Sequence, residues 1–151
     1  MRATTLAAIT TGVLAPTLLA LSACGAPKGP PGKSAAELVA ELPAPYNTGD
    51  PEAGKQVFAT CTACHTIGDG QPSTVGPNLH GVFGAKAGHK TDFKYSPGLL
   101  ATGWTWDAER IAAWVADPTG LVPGTKMVFI GVKDPKQRTD LIAYLKVASS
   151  Q

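Results

Sequence analysis

Apolar residues run from Ala3 to Ala23, interrupted by Thr residues, Gly12 and Pro16, and after that they recur only in short registers of helical spacing. Leu38, Val39 and Leu42 make one such face. Gly54 and Phe58 fall four apart, and Leu99 and Leu100 sit together after Ser96-Pro97. Ile111, Trp114 and Val115 form a stripe within Trp106–Ala116, and Leu141, Tyr144, Leu145 and Ala148 close the chain at the same spacing. This period predicts helices, because residues three and four apart share a helix face. Start signals agree with it. Ser34 and Thr105 are placed as caps, and Asp50-Pro51 and Asp134-Pro135 each set a capping carboxylate before a proline at the first helical position. Pro43 and Pro118 mark ends. No alternating pattern of strand type occurs, so the predicted class is all-α.

Between the predicted helices lie two long loops, Gly68–Lys94 and Gly120–Lys133, and the chain holds 17 Gly and 13 Pro. Loops of this length inside one domain argue against an assignment unless they serve a function. A domain with so much irregular backbone needs an organising element, and a large apolar ligand would give these loops something to pack on.

Of the 151 residues, the first 23 are set apart. Met1-Arg2 followed by the apolar run reads as an export signal; an uncleaved anchor is the competing reading, since the run nearly suffices to span a bilayer. Leu21-Ser22-Ala23-Cys24 resembles the lipobox of bacterial lipoproteins, which implies lipidation at Cys24. Residues 24–47 form a Pro/Gly-rich tether that includes a short helix from Ser34 to Leu42. Residues 48–151 form one domain. A formal net charge of +2 with no basic stripe excludes a nucleic-acid partner.

The candidate chemistry lies in Cys61-Thr62-Ala63-Cys64-His65. Cys-x-x-Cys-His is the attachment spacing of a c-type haem, in which residues three apart on a helical turn reach one porphyrin and the histidine offers its nitrogen to iron. A dithiol redox pair would need a βαβ setting, and a structural zinc would need further ligands, for which only His80 or His89 stand available. For a sixth ligand there are three candidates. Met127, the one methionine besides Met1, lies in the turn-rich Pro123–Met127 stretch; His80 and His89 lie in polar, Gly-rich surroundings.

Taken together, GDPEAGKQVF, CTACHTI, GPNLHGVFG, FKYSPGL, WTW, PGTKM and DLIAYLK resemble the class I cytochromes c, the group of mitochondrial cytochrome c and its bacterial relatives. The likeness covers Gly49–Lys146. It implies short helices and long loops wrapped around one covalently bound haem c, with the first and last helices crossing through Gly54, Phe58, Leu141 and Tyr144. Thioethers at Cys61 and Cys64 and axial ligands His65 and Met127 are implied with it. So are a Pro77 carbonyl holding the histidine, Tyr95 and Trp106 on a propionate with Thr125 beside it, and Phe129 shielding the haem edge. Three features depart from the mitochondrial pattern. Ala85 replaces an arginine, Trp114 replaces a tyrosine near the methionine sulfur, and Thr60, Thr119 and Gly120 replace docking lysines.

The function implied is non-enzymatic: a monomeric single-electron carrier between membrane redox complexes, such as a quinol–cytochrome c reductase and a cytochrome c oxidase or a dehydrogenase. It would work in the bacterial cell envelope, facing the periplasm and held to the membrane by a lipid anchor. An electron-transfer subunit dedicated to one exported dehydrogenase or oxidase is the alternative. A peroxidase or gas sensor is disfavoured, because no distal acid–base residue is evident.

Overall fold

The computed structural model describes residues 32–151, so Cys24, the expected signal and the first part of the tether lie outside the described residues. The described residues form six helices and one short 3-10 turn, with no strand and a single isolated bridge between Lys86 and Thr105.

Helix α1 (Ala35–Ala40) begins in a reciprocal cap. The Ser34 hydroxyl accepts the Glu37 N–H, and the Glu37 carboxylate accepts the Ser34 N–H at 2.7 Å. Leu38 and Val39 are buried against Ala143 and Val147 of the last helix. Glu41 adds ion pairs to Lys33 and to Lys146, the latter at 3.0 Å. Residues 34–47, expected as part of a tether, therefore pack on the domain through α1 and the turn Tyr46–Thr48.

Helix α2 (Pro51–Phe58) starts at Asp50, whose carboxylate accepts the N–H groups of Glu52 and Ala53, and α6 (Pro135–Ala148) starts at Asp134 in the same way. These two helices cross at Gly54, where a Cβ would stand 2.0 Å from the Asp140 carbonyl oxygen. Asp140 is buried there, accepting the Asp50 N–H at 2.8 Å and the Lys136 ammonium at 2.7 Å. Phe58 and Tyr144 pack with ring centroids 5.2 Å apart. Of the remaining helices, α3 (Pro97–Ala101) and α4 (Ala108–Ala116) bring Leu99, Ile111, Trp114 and Val115 into the core.

One expectation needs correction. The cap of α4 is Asp107, which accepts the Arg110 N–H at 2.7 Å, and Thr105 caps nothing. Backbone bonds from Ala87 to Trp104 (2.8 Å) and from Trp106 to Ala85 (2.9 Å) hold this stretch extended, so Trp106 precedes the helix. Pro118 follows the end of α4 at Ala116, as expected. It opens a further short helix, α5 (Pro118–Leu121), because Asp117 turns its carboxylate to the Gly120 N–H.

Side chains hold the long loops where helices do not. Buried Asn78 donates to the Thr66 hydroxyl (2.8 Å) and the Gly68 carbonyl (3.0 Å), and its oxygen accepts the His80 N–H. Asp92 accepts both the N–H and the hydroxyl of Ser73, at 2.8 and 2.9 Å, tying the two ends of the 73–92 loop.

Gly54→Ala is expected to lower the unfolding free energy of the holoprotein by about 3 kcal/mol, since backbone blocks the methyl; denaturant titration checks this, and wild-type stability would refute the close crossing. The Ser73 N–H and hydroxyl hold the Asp92 carboxyl below its ordinary range. The stability it contributes is thus present above about pH 4 and lost as pH falls through the depressed value. The exchange protection of the Ser73 amide should fall over that interval in wild type and be low at every pH in Asp92→Asn. Protection in wild type that ignores acid would argue against the tie.

Candidate functional site

A cavity of ≈ 390 Å³ opens between α2, α4, α6 and the two long loops. Phe58, Leu79, Val82, Leu99, Ile111, Leu141 and Leu145 give it a mainly apolar wall. Its chemistry comes from three stretches of chain.

The first follows α2 directly. Backbone bonds from Cys64 and His65 to the Cys61 carbonyl, at 3.0 and 2.9 Å, wind CTACH into a turn. Cys61, Cys64 and His65 all line the cavity, and both thiols are free. Burial pushes the Cys61 thiol up. The His65 Nδ1 lies 2.7 Å from the Pro77 carbonyl oxygen. A carbonyl only accepts, so the proton sits on Nδ1 and the lone pair is left on Nε2, the form in which a histidine binds metal. Burial lowers the His65 pKa and so favours this neutral ring. Gly76 packs on the ring so tightly that a Cβ would stand 2.5 Å from its Cε1.

The second stretch is the loop Val122–Phe129. Gly124 at φ 79° turns the chain, Thr125 accepts the Met127 N–H at 3.3 Å, and Lys126 donates to the Lys94 carbonyl at 2.7 Å. These bonds bring Thr125, Met127 and Phe129 to the cavity wall. From α4 the Trp114 indole N–H donates to the Met127 sulfur at 3.0 Å. Hydrogen-bond reach, left open by the sequence for an indole in place of a phenol, is thereby present.

The third stretch carries Tyr95 and Trp106, both on the lining. Burial pushes the Tyr95 hydroxyl pKa up. Trp106 belongs to a cluster that the sequence reading did not assemble. Its ring centroid lies 5.9 Å from that of Trp104 and 5.7 Å from that of Trp114, and the Arg110 guanidinium lies 4.8 Å over Trp104. The sequence signal was the WTW spacing, but the third indole comes from α4. Of the rival ligands, His80 is off the lining, 3.5 Å from Asp69, whereas His89 is on it, with Nδ1 3.2 Å from the Lys86 carbonyl. Among the described residues no three His, Cys, Asp or Glu side chains converge as a group that could hold a bare ion.

The residues present fit a flat apolar ligand bearing a metal. Two free thiols stand three apart, one imidazole is held in its metal-binding form, and a thioether shares the same apolar wall.

Comparison with known proteins agrees. Residues 51–149 match the family Cytochrome c. The chain is 44% identical to a cytochrome c of Ginkgo biloba over 104 residues, 68% of this chain and 92% of the relative. It is 42% identical to a cytochrome c2 of Rhodomicrobium vannielii over 106 residues, 70% and 85% of the two chains. With a cytochrome c2 of Blastochloris viridis the identity is 43% over 109 residues, covering 72% and 86%. The chain therefore belongs to the cytochrome c family, whose members carry covalently attached haem c, and Cys61 and Cys64 stand in place for that attachment.

Proposed function

We propose that this chain is a single-electron carrier in which His65 Nε2 and Met127 Sδ would bind the iron of the haem. The observation that carries this reading is the pairing of two ligand side chains on one apolar cavity, each already fixed by a neutral hydrogen bond, His65 by Pro77 and Met127 by Trp114.

Haem c supplies an iron that changes by one electron. The chain's own residues determine what else happens there. With both His65 and Met127 as ligands, the iron would have no open position for a substrate, which argues against enzymatic chemistry. A thioether is a soft, weak donor, and an apolar wall disfavours the additional charge of the ferric state; both favour reduction. The indole N–H takes up one sulfur lone pair and leaves the other for the metal. Tyr95 and Trp106 are the candidates to hold a propionate, with Thr125 on the methionine loop beside them. Ala85 brings no cation to that end, so neutral donors do this work. Phe129 closes the exposed edge.

The partners in this reading are membrane redox complexes, a quinol–cytochrome c reductase and an oxidase or a dehydrogenase, met by a monomer in the cell envelope. The Leu21–Cys24 stretch supports export and a lipid anchor at Cys24 facing the periplasm. Among the described residues no helix is long and apolar enough to cross a membrane.

Met127→Ala is expected to keep the covalently attached haem and lose the weak far-red absorption of a sulfur–iron bond, while His89→Ala keeps both. A wild type without that band, or its loss in His89→Ala, would overturn the ligand assignment. Trp114→Phe removes a hydrogen bond of about 1 kcal/mol, so added imidazole should displace Met127 at about fivefold lower concentration. Unchanged imidazole affinity would show that the indole does not steady the sulfur.

A further inference from the structure

The titratable side chains on the cavity wall are Cys61, Cys64, His65, His89, Tyr95 and Lys126. The first three are committed to the haem in the electron-carrier reading. Phenols and ammonium groups titrate well above neutral pH. Burial pushes the Tyr95 hydroxyl further up, and the Lys126 ammonium is bound to the Lys94 carbonyl at 2.7 Å. No Asp, Glu or Arg lines the cavity. His89 is thus the one uncommitted group on this wall whose ordinary titration falls between about pH 5 and 8. Neither haem attachment nor ligation uses it.

The surroundings of His89 hold its ring neutral but close to charging. Nδ1 lies 3.2 Å from the Lys86 carbonyl oxygen. A carbonyl only accepts, so Nδ1 carries the proton of the neutral ring and a second proton must go to Nε2. Nε2 is buried and has no hydrogen-bond partner. Burial, and after it the Lys90 ammonium, lower the pKa from its ordinary 6.5; the Lys86 carbonyl and the His80 backbone favour the charged ring. The His80 backbone is near enough for that effect yet makes no hydrogen bond to Nε2. Lys86 itself is exposed, the His80 ring lies 3.5 Å from Asp69, and Asp92 is held by Ser73. Tyr95 stands beyond Gly88, where a Cβ would come 3.9 Å from its ring, and α3, which packs there through Leu100, has no charged side chain. No carboxylate acts on His89 to fix its charge.

We infer that His89 is the proton-coupling residue of this carrier, taking a proton from solvent onto Nε2 as an electron enters the site and releasing it as the electron leaves. The inference deepens the electron-carrier reading and rests on it, since without an electron at this wall there is nothing to couple. The electron comes from the redox partner and the proton from water, so the net charge behind the wall is the same in both states. His89 is only half-buried, which leaves the ring within reach of solvent protons. An added electron attracts the positive ring, and in an apolar wall that attraction is weakly screened. Unit charges about 10 Å apart at an effective dielectric of about 20 couple by roughly tenfold in affinity. Linkage is reciprocal, so the factor by which reduction tightens the proton is the factor by which the proton favours reduction.

The test is a redox titration of the holoprotein at a series of values between about pH 5 and 8. Below both pKa values of His89 the ring is charged in either state and the potential is high and flat; above both it is neutral and the potential is low and flat. The fall lies between them, and a tenfold coupling makes it about 59 mV. His89→Gln should abolish the fall and hold the lower potential at every pH, whereas His80→Gln, altered off the lining, should keep it. Wild type supplies a second readout that needs no variant. The His89 Cε1 proton, followed by NMR, should titrate about tenfold more tightly in the reduced protein than in the oxidised one. Equal His89 titration in the two states, or a fall that persists in His89→Gln, would overturn the inference; so would its loss in His80→Gln, which would give the proton to the other histidine. A chain without covalently bound haem shows no potential at all and overturns the electron-carrier reading itself. A red protein whose potential ignores pH over this range overturns only the proton coupling.

Discussion

The rest of the structure depends on the contact between the backbone of Gly54 and the carbonyl of Asp140. With no side chain at that point, α2 and α6 approach until Phe58 meets Tyr144, and the same approach sets Leu141 and Leu145 on the cavity wall. CTACH follows α2 within three residues, so the crossing also fixes where the thiols and His65 begin. Asp140 completes the joint by accepting the N–H of Asp50, the residue that caps α2. One buried carboxylate thereby ties the start of the first domain helix to the middle of the last. Its charge is tolerable in that place because Lys136 lies one helical turn away on the same face.

Behind the crossing, α6 is apolar on two sides. Leu141 and Leu145 face the cavity, while Ala143 and Val147, completely buried, face α1. A helix with a single apolar stripe would leave the second pair in water. The short helix before the domain removes them from it, and the Glu41–Lys146 ion pair fixes the register at the rim. Helix α1 thus packs on residues of α6 that do not line the cavity.

How much of this was legible in the sequence follows from how local each signal is. Asp50-Pro51, Ser96-Pro97 and Asp134-Pro135 announced helix starts correctly, because a cap is made within four residues of its own chain. CTACH could be read for the same reason. Thr105 misled because the choice between it and Asp107 was made elsewhere, by the backbone of residues 85–87 pairing with 104–106. The tryptophan cluster, the clamp of Asp92 on Ser73 and the burial of Ala143 join parts of the chain that no short window contains. His89 looked like a loop residue, and it is one; that the loop folds onto the cavity could not be seen from its neighbours. Family likeness supplied the crossing of α2 and α6, which periodicity alone would not have paired.

A cavity of this size with an apolar wall is an incomplete core, and the long loops that surround it have little else to pack on. Filling it is therefore part of folding. A ligand held only by contacts stabilises the folded chain according to its free concentration. Covalent attachment through Cys61 and Cys64 makes the filling intramolecular, so its effective concentration no longer depends on supply. The same bonds relieve the other residues of the cavity wall of any duty to retain the group. The hydrogen bonds of His65 to Pro77 and of Met127 to Trp114 are then free to set the orientation of these two side chains on the wall.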